Sequence, residues 1–254
     1  MNELERYLFD LYGYIVVKGA LNPDQVRSLN DALDRRGVQA LLDRLGYIQT
    51  GEGPAGDDDL GSLLDWGPEL RDMIDLPSIR PYLEALLQPG YRLDHSNAIL
   101  TRKGWREDEG HSLHNGGTPY DPSQAYIVRD GKIFNGLVVV SYALTPAEPG
   151  AGGFCIIPGS HKSEFPLPKS VRHALCEWPV QQVPLEAGDA VIFSEAATHG
   201  AMPWLGKNDR RALLFKYCPG HMQWEVESPW VVADDRFTEQ QRSILRSPFV
   251  GGRV

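Results

Sequence analysis

From residue 91 to residue 217 the chain breaks into short runs of β-branched, aromatic and other apolar residues, separated by glycine, proline and acidic turns. Candidate strands occupy 91–101, 125–129, 133–144, 154–157, 180–185, 190–194 and 210–217, and the most apolar of them contains NGLVVVSYAL. Runs of this composition suit a pleated, half-buried surface. Their number and spacing predict a β-sandwich or barrel rather than a helical bundle. The 26 glycines and 19 prolines agree with a turn-rich β protein, and they show no Gly-X-Y period.

The first ninety residues read differently. After an early strand, GYIVVKG at 13–19, Asn22 and Pro23 form an N-cap and first-turn pair, and Val26, Leu29, Leu33, Leu41, Leu42 and Leu45 approximate one helical face that Gly46 ends. Further helical signals cover 67–75 and 77–88, each opened by a proline. The stretch TGEGPAGDDDLG at 50–61 has no periodicity and reads as a surface loop. The expected organisation is one domain over 1–254, mainly β with flanking helices: helical support at 1–90, a β core at 91–220 and a C-terminal extension at 221–254 with a short helix near 237–246.

A net charge of −9 argues against a nucleic-acid polymer or an anionic membrane as partner, because both require a basic face. A small anion held by a few local cations stays compatible with it. Three widely spaced cysteines, Cys155, Cys176 and Cys218, support neither a disulfide framework nor a Cys-rich zinc site. The acidic start and the lack of a long apolar run predict a cytoplasmic protein. Nothing in the sequence specifies an oligomeric state.

Histidine marks the chemistry, since neutral imidazole is the commonest metal ligand. His111 and His114 lie in EGHSLHNGGTPYDP, a loop dense in glycine and polar groups, while His199 lies just past an apolar strand in AGDAVIFSEAATHGAMPW. Arg210 opens the strand that follows, and a planar guanidinium there can grip a carboxylate with two hydrogen bonds.

Three segments, PGAGGFCIIPGSHKSEF, EAGDAVIFSEAATHG and DRRALLFKY, together resemble the phytanoyl-CoA dioxygenase family of iron(II)/2-oxoglutarate-dependent oxygenases. The resemblance implies a double-stranded β-helix, the cupin-like jelly roll, with Fe(II) at its mouth and 2-oxoglutarate and O2 as cosubstrates. It also implies an H-x-D pair and a distal His as iron ligands, and an Arg for 2-oxoglutarate. His199 and Arg210 match the distal pair. The proximal motif departs from the pattern, because neither His111-Ser112-Leu113 nor His114-Asn115-Gly116 supplies the acid.

His114-Asn115-Gly116 is H-x-G and is similar to the iron halogenases of the same superfamily, in which a halide takes the acid's place. The expectation is therefore a halogenase that chlorinates an unactivated carbon, with iron on His114 and His199 and chloride beside Gly116. His111 is the alternative ligand. An acid from elsewhere, among Glu107, Asp108, Glu109, Asp121 and Glu195, is the route to a hydroxylase, and a retired site that only binds small molecules is the non-catalytic reading. Asn97 and Tyr142 are candidate contacts to 2-oxoglutarate. Arg102, Lys103, Arg106 and His161 are candidates for a small anionic substrate such as a nucleotide.

Overall fold

The computed structural model describes residues 1–50, 60–105, 111–171, 178–225 and 235–250. Its elements are α1 (Glu3–Tyr12), β1 (Tyr14–Val17), α2 (Pro23–Arg35), α3 (Val38–Leu45), β2 (Tyr47–Gln49), α4 (Pro68–Arg71), α5 (Arg80–Leu87) and β3 (Arg92–Thr101). They continue with β4 (His111–His114), β5 (Tyr126–Arg129), β6 (Lys132–Asn135), β7 (Val138–Ala143), β8 (Gly153–Ile156), β9 (Gln181–Gln182), β10 (Ala190–Ser194), β11 (His199–Met202), β12 (Arg210–Cys218) and α6 (Glu239–Leu245).

A six-stranded sheet in the order β1-β10-β7-β12-β3-β2 and a four-stranded sheet in the order β4-β11-β8-β9 form the jelly roll, and β5 and β6 make a separate ribbon. All pairings are antiparallel. Alternation along the strands of the large sheet sorts two cores. Val139, Val191, Phe193, Ala212 and Leu214 meet Phe154 and Ile156 of the small sheet, whereas Val138, Val140, Ile192, Leu213 and Phe215 pack against the helices. The long apolar strands are buried on both faces for this reason, and they read as continuous hydrophobic runs.

Local chemistry sets the helix starts. Asn2, Asn22 and Thr238 each cap a helix, and the backbone N–H of each donates in return to the side chain three residues on. The single helical face read over 26–45 is in fact two helices, because Gly37 takes φ 78° and turns the chain between α2 and α3. The run 133–144 likewise divides into β6 and β7. At Gly136 the backbone passes so close to Ser123 and Gln124 that no side chain fits, and the strand breaks there. Most of the 50–61 loop lies outside the described residues. No helix among the described residues is long and apolar enough to cross a membrane.

Candidate active site

The short connection from β10 to β11 turns back on itself through Ala197 N–H to Ser194 O, 2.9 Å, and brings Glu195 and His199 to one place at the mouth of the roll. His199 stands directly opposite His114 in the β11–β4 ladder, with ring centroids 4.3 Å apart. Nδ1 of His199 lies 2.8 Å from Ala197 O, a pairing that makes Nδ1 the donor and leaves Nε2 for another partner. That Nε2 is 3.7 Å from Oε1 of Glu195. One potential ligand atom from each of His114, Glu195 and His199 falls within 4.8 Å of the others, the one such group among the described residues.

The electrostatics suit a cation. Burial first, and then the neighbouring His114, pushes the His199 imidazole down to about 4, so it is neutral and its lone pair is available. Burial works to raise the Glu195 carboxyl, but the neighbouring side chains, Lys216 foremost and then His199, His114 and His95, hold it below the ordinary carboxylate value. Its Oε2 is buried and has no hydrogen-bond partner among the described residues. A desolvated carboxylate oxygen with no donor is costly unless something positive meets it. Two imidazoles and one carboxylate converging in this way match the facial set that holds iron(II) with open positions.

A cavity of about 260 Å³ opens on the two histidines and is walled by both sheets, with His114 and His199 on one side and Asn97, Ser141, Arg210 and Lys216 on the other. Arg210 is 8% exposed, and no carboxylate pairs with it among the described residues. Its neighbour Arg211 points the other way and is satisfied by Asp34 at 2.7 Å and Gln39 at 2.6 Å. Asn97 is fully buried, and neither atom of its amide has a hydrogen-bond partner. A guanidinium with no carboxylate partner among the described residues and an unsatisfied amide in one cavity can take a carboxylate.

Several expected site residues lie elsewhere. Tyr142 does not reach the cavity: Ser141 takes that face of β7, and Tyr142 points into the helix-packed core edge-on to Phe215. His161 bonds through Nε2 to Asp10 O at 3.0 Å and lines a different cavity with Tyr126 and Lys162. Arg102 turns outward to Asp43, the Lys103 backbone N–H donates to Asp209 Oδ1 at 2.7 Å, and neither residue lines the cavity that holds His114, His199 and Arg210. Arg106 lies outside the described residues, as do Glu107, Asp108 and Glu109. The backbone of His111 pairs with Ala201, and it is His114 that joins the cluster.

Gly116 needs correction too. The space that a Cβ at this position would take is already filled by Gln124, whose Oε1 and Cδ overlap it and whose Cβ is 2.5 Å away. The open pocket expected there for chloride is therefore occupied by a side chain. Asp121 is committed to its own loop through Ser123 and Gln124. Glu195, four residues before His199 at the end of a buried strand, is the acid that reaches the site. Lys216 was not anticipated, although a lysine inside the apolar run ALLFKY was the signal available.

Among curated proteins no sequence matches the chain. In fold it is similar to HygX from Streptomyces hygroscopicus with nickel and 2-oxoglutarate bound, at 21% identity over 89% of this chain and 90% of that one, with a TM-score of 0.72. HygX is also known with nickel, 2-oxoglutarate and hygromycin B bound, where the identity is 20%, the same shares are covered and the TM-score is 0.67. The epimerase SnoN, in complex with Fe3+, alpha ketoglutarate and nogalamycin RO, shares 18% identity over 86% of this chain and 84% of its own, with a TM-score of 0.55. The family described as Phytanoyl-CoA dioxygenase (PhyH) matches residues 9–212. The chain therefore belongs to the phytanoyl-CoA dioxygenase family and is an enzyme of the iron(II)/2-oxoglutarate-dependent oxygenase type.

Proposed function

We propose that this enzyme oxidises a C–H bond of a free small molecule by hydroxylation, with Fe(II) held by His114, Glu195 and His199 and the distal carboxylate of 2-oxoglutarate held by Arg210. The observation that carries the reading is the clustering of the buried Glu195 carboxylate with His114 and His199, two histidines that line one cavity with Arg210, which pairs with no carboxylate among the described residues. Iron bound there supplies a centre for dioxygen activation. In the overall reaction one oxygen atom enters the substrate as a hydroxyl group, the other enters succinate, and 2-oxoglutarate loses CO2.

The chain's own groups have distinct tasks. Arg210 and Asn97 supply donors to the cosubstrate, and the Ala197 carbonyl fixes the His199 ring so that Nε2 faces the site. Phe154, Phe193 and Leu214 line the cavity and exclude water. Glu195 contributes the negative charge that an H-x-D acid gives elsewhere in the family, so no chloride is required to restore charge at the metal. This favours oxygen insertion over the chlorination that the H-x-G motif suggests.

The outward turn of Arg102 removes the support for a nucleotide substrate. The likeness to HygX and SnoN, which bind hygromycin B and nogalamycin RO, supports a natural-product-sized substrate that approaches past the exposed His114. Cys155 and Cys218 are buried thiols, which fits action in a reducing cytoplasm.

The test is 2-oxoglutarate turnover. Purified protein supplied with Fe(II) and air should convert 2-oxoglutarate slowly to succinate even without substrate, and His199→Ala should abolish this. Conversion that does not depend on iron, or that survives in His199→Ala, would overturn the reading.

A further inference from the structure

The side chain of Gln124 occupies a place that bears directly on which atom a substrate receives. Gly116 lies two positions past His114, in the bend that follows β4. The Gly116 N–H donates to the Glu195 carbonyl at 3.0 Å, and the Asn115 amide donates to Thr198 Oγ1 at 3.1 Å. The glycine is thereby tied to the segment carrying Glu195 and His199, and its backbone cannot retreat. A side chain at 116 would enter the volume that Gln124 fills.

Gln124 is held there. Its Nε2 donates to Asp121 Oδ2 at 3.3 Å and its backbone N–H to Asp121 O at 3.1 Å, while the other carboxylate oxygen of Asp121 accepts from Ser123. Oε1 and Cδ of Gln124 lie nearer the point in question than its Cβ does, so truncating the side chain at Cβ opens most of that volume.

We propose that Gln124 is a specificity-determining residue, which closes the position beside Gly116 to small anions so that Glu195 alone completes the protein's ligand set and no halide shares the site. This inference rests on the iron and 2-oxoglutarate reading above. The glycine of the H-x-G motif accordingly makes room for Gln124 and not for chloride.

The experiment uses azide and chloride as probes. Anaerobic protein loaded with Fe(II) and 2-oxoglutarate is followed through its visible metal-to-ligand charge-transfer band in the wild type, Gln124→Ala, Gln124→Ser and Gln124→Met. The band should form in all four, and azide should shift it in the Ala and Ser variants at concentrations at least about tenfold lower than in the wild type. Chloride should follow the same order more weakly. Gln124→Met, which fills the volume without the amide, should behave as the wild type does. A wild type that responds to azide as readily as Gln124→Ala would overturn the role of Gln124, as would Ala and Ser variants that form the band and ignore azide. A wild type that forms no band would instead overturn the iron and 2-oxoglutarate reading, and this inference with it.

Discussion

Oε1 of Glu195 lies 3.7 Å from Nε2 of His199, four residues along the same chain, at a strand end where both side chains are buried. On the proposed reading, this spacing replaces the two-residue spacing of H-x-D as the source of the acid. Glu195→Gln keeps the shape and removes the charge. It should weaken Co(II) or Mn(II) binding by at least about tenfold, and titration calorimetry reads this without any substrate. Unchanged affinity would show that the carboxylate is not a ligand.

The two consecutive arginines separate by function. Arg210→Met should raise the KM for 2-oxoglutarate at least about tenfold and leave folding nearly intact. Arg211→Met, which strips Asp34, Gln39 and Asn30 of their shared donor, should lower stability by about 1–3 kcal/mol and leave that KM alone. Steady-state kinetics paired with denaturant unfolding reads both. The reverse pattern would mean that the strand register is misassigned.

Gly116→Asp installs the family's acid by sequence but not by space. The new side chain meets Gln124, so it should destabilise the fold by about 1–3 kcal/mol without tightening metal binding. A stable variant with stronger metal affinity would count against the assignment of Glu195.

His161 makes stability depend on pH. Burial, and then the nearby Lys162 charge, pushes its imidazole down to about 4 from an ordinary 6.5. Between these values the unfolded chain takes up a proton that the folded chain does not, so this contribution is intact above pH 6.5 and is lost as the pH falls toward 4. The loss amounts to about 3 kcal/mol. His161→Phe should flatten this part of the pH–stability curve in denaturant melts, and an unchanged slope would contradict a neutral buried imidazole.

Tyr142→Phe should leave 2-oxoglutarate turnover unchanged. It should keep or raise the melting temperature, because the hydroxyl is buried among apolar groups without a partner.

How much of this was legible in the sequence follows from the range of each signal. Strand alternation and capping are local, so the β core and the cap at Asn22 could be read directly, while the pairing of His199 with Arg210 came with the family resemblance. The break at Gly136 depends on Ser123, and the loss of the Gly116 pocket depends on Gln124; both are approaches between chain segments that no local pattern records. Glu195 was visible as one acid among several. What singles it out is the ladder that sets His199 opposite His114, and β4 and β11 are too short to announce themselves. Tyr142 was misplaced because a strand buried on both faces is apolar throughout, and its sequence does not say which face is the cavity.

The most direct test of the account is a crystal structure of the protein with Fe(II) and 2-oxoglutarate, with the metal located by anomalous scattering. The account predicts iron bound by His114, Glu195 and His199, 2-oxoglutarate reaching to Arg210, and Gln124 against Gly116. Iron bound without Glu195, with an anion or water beside Gly116, would contradict it.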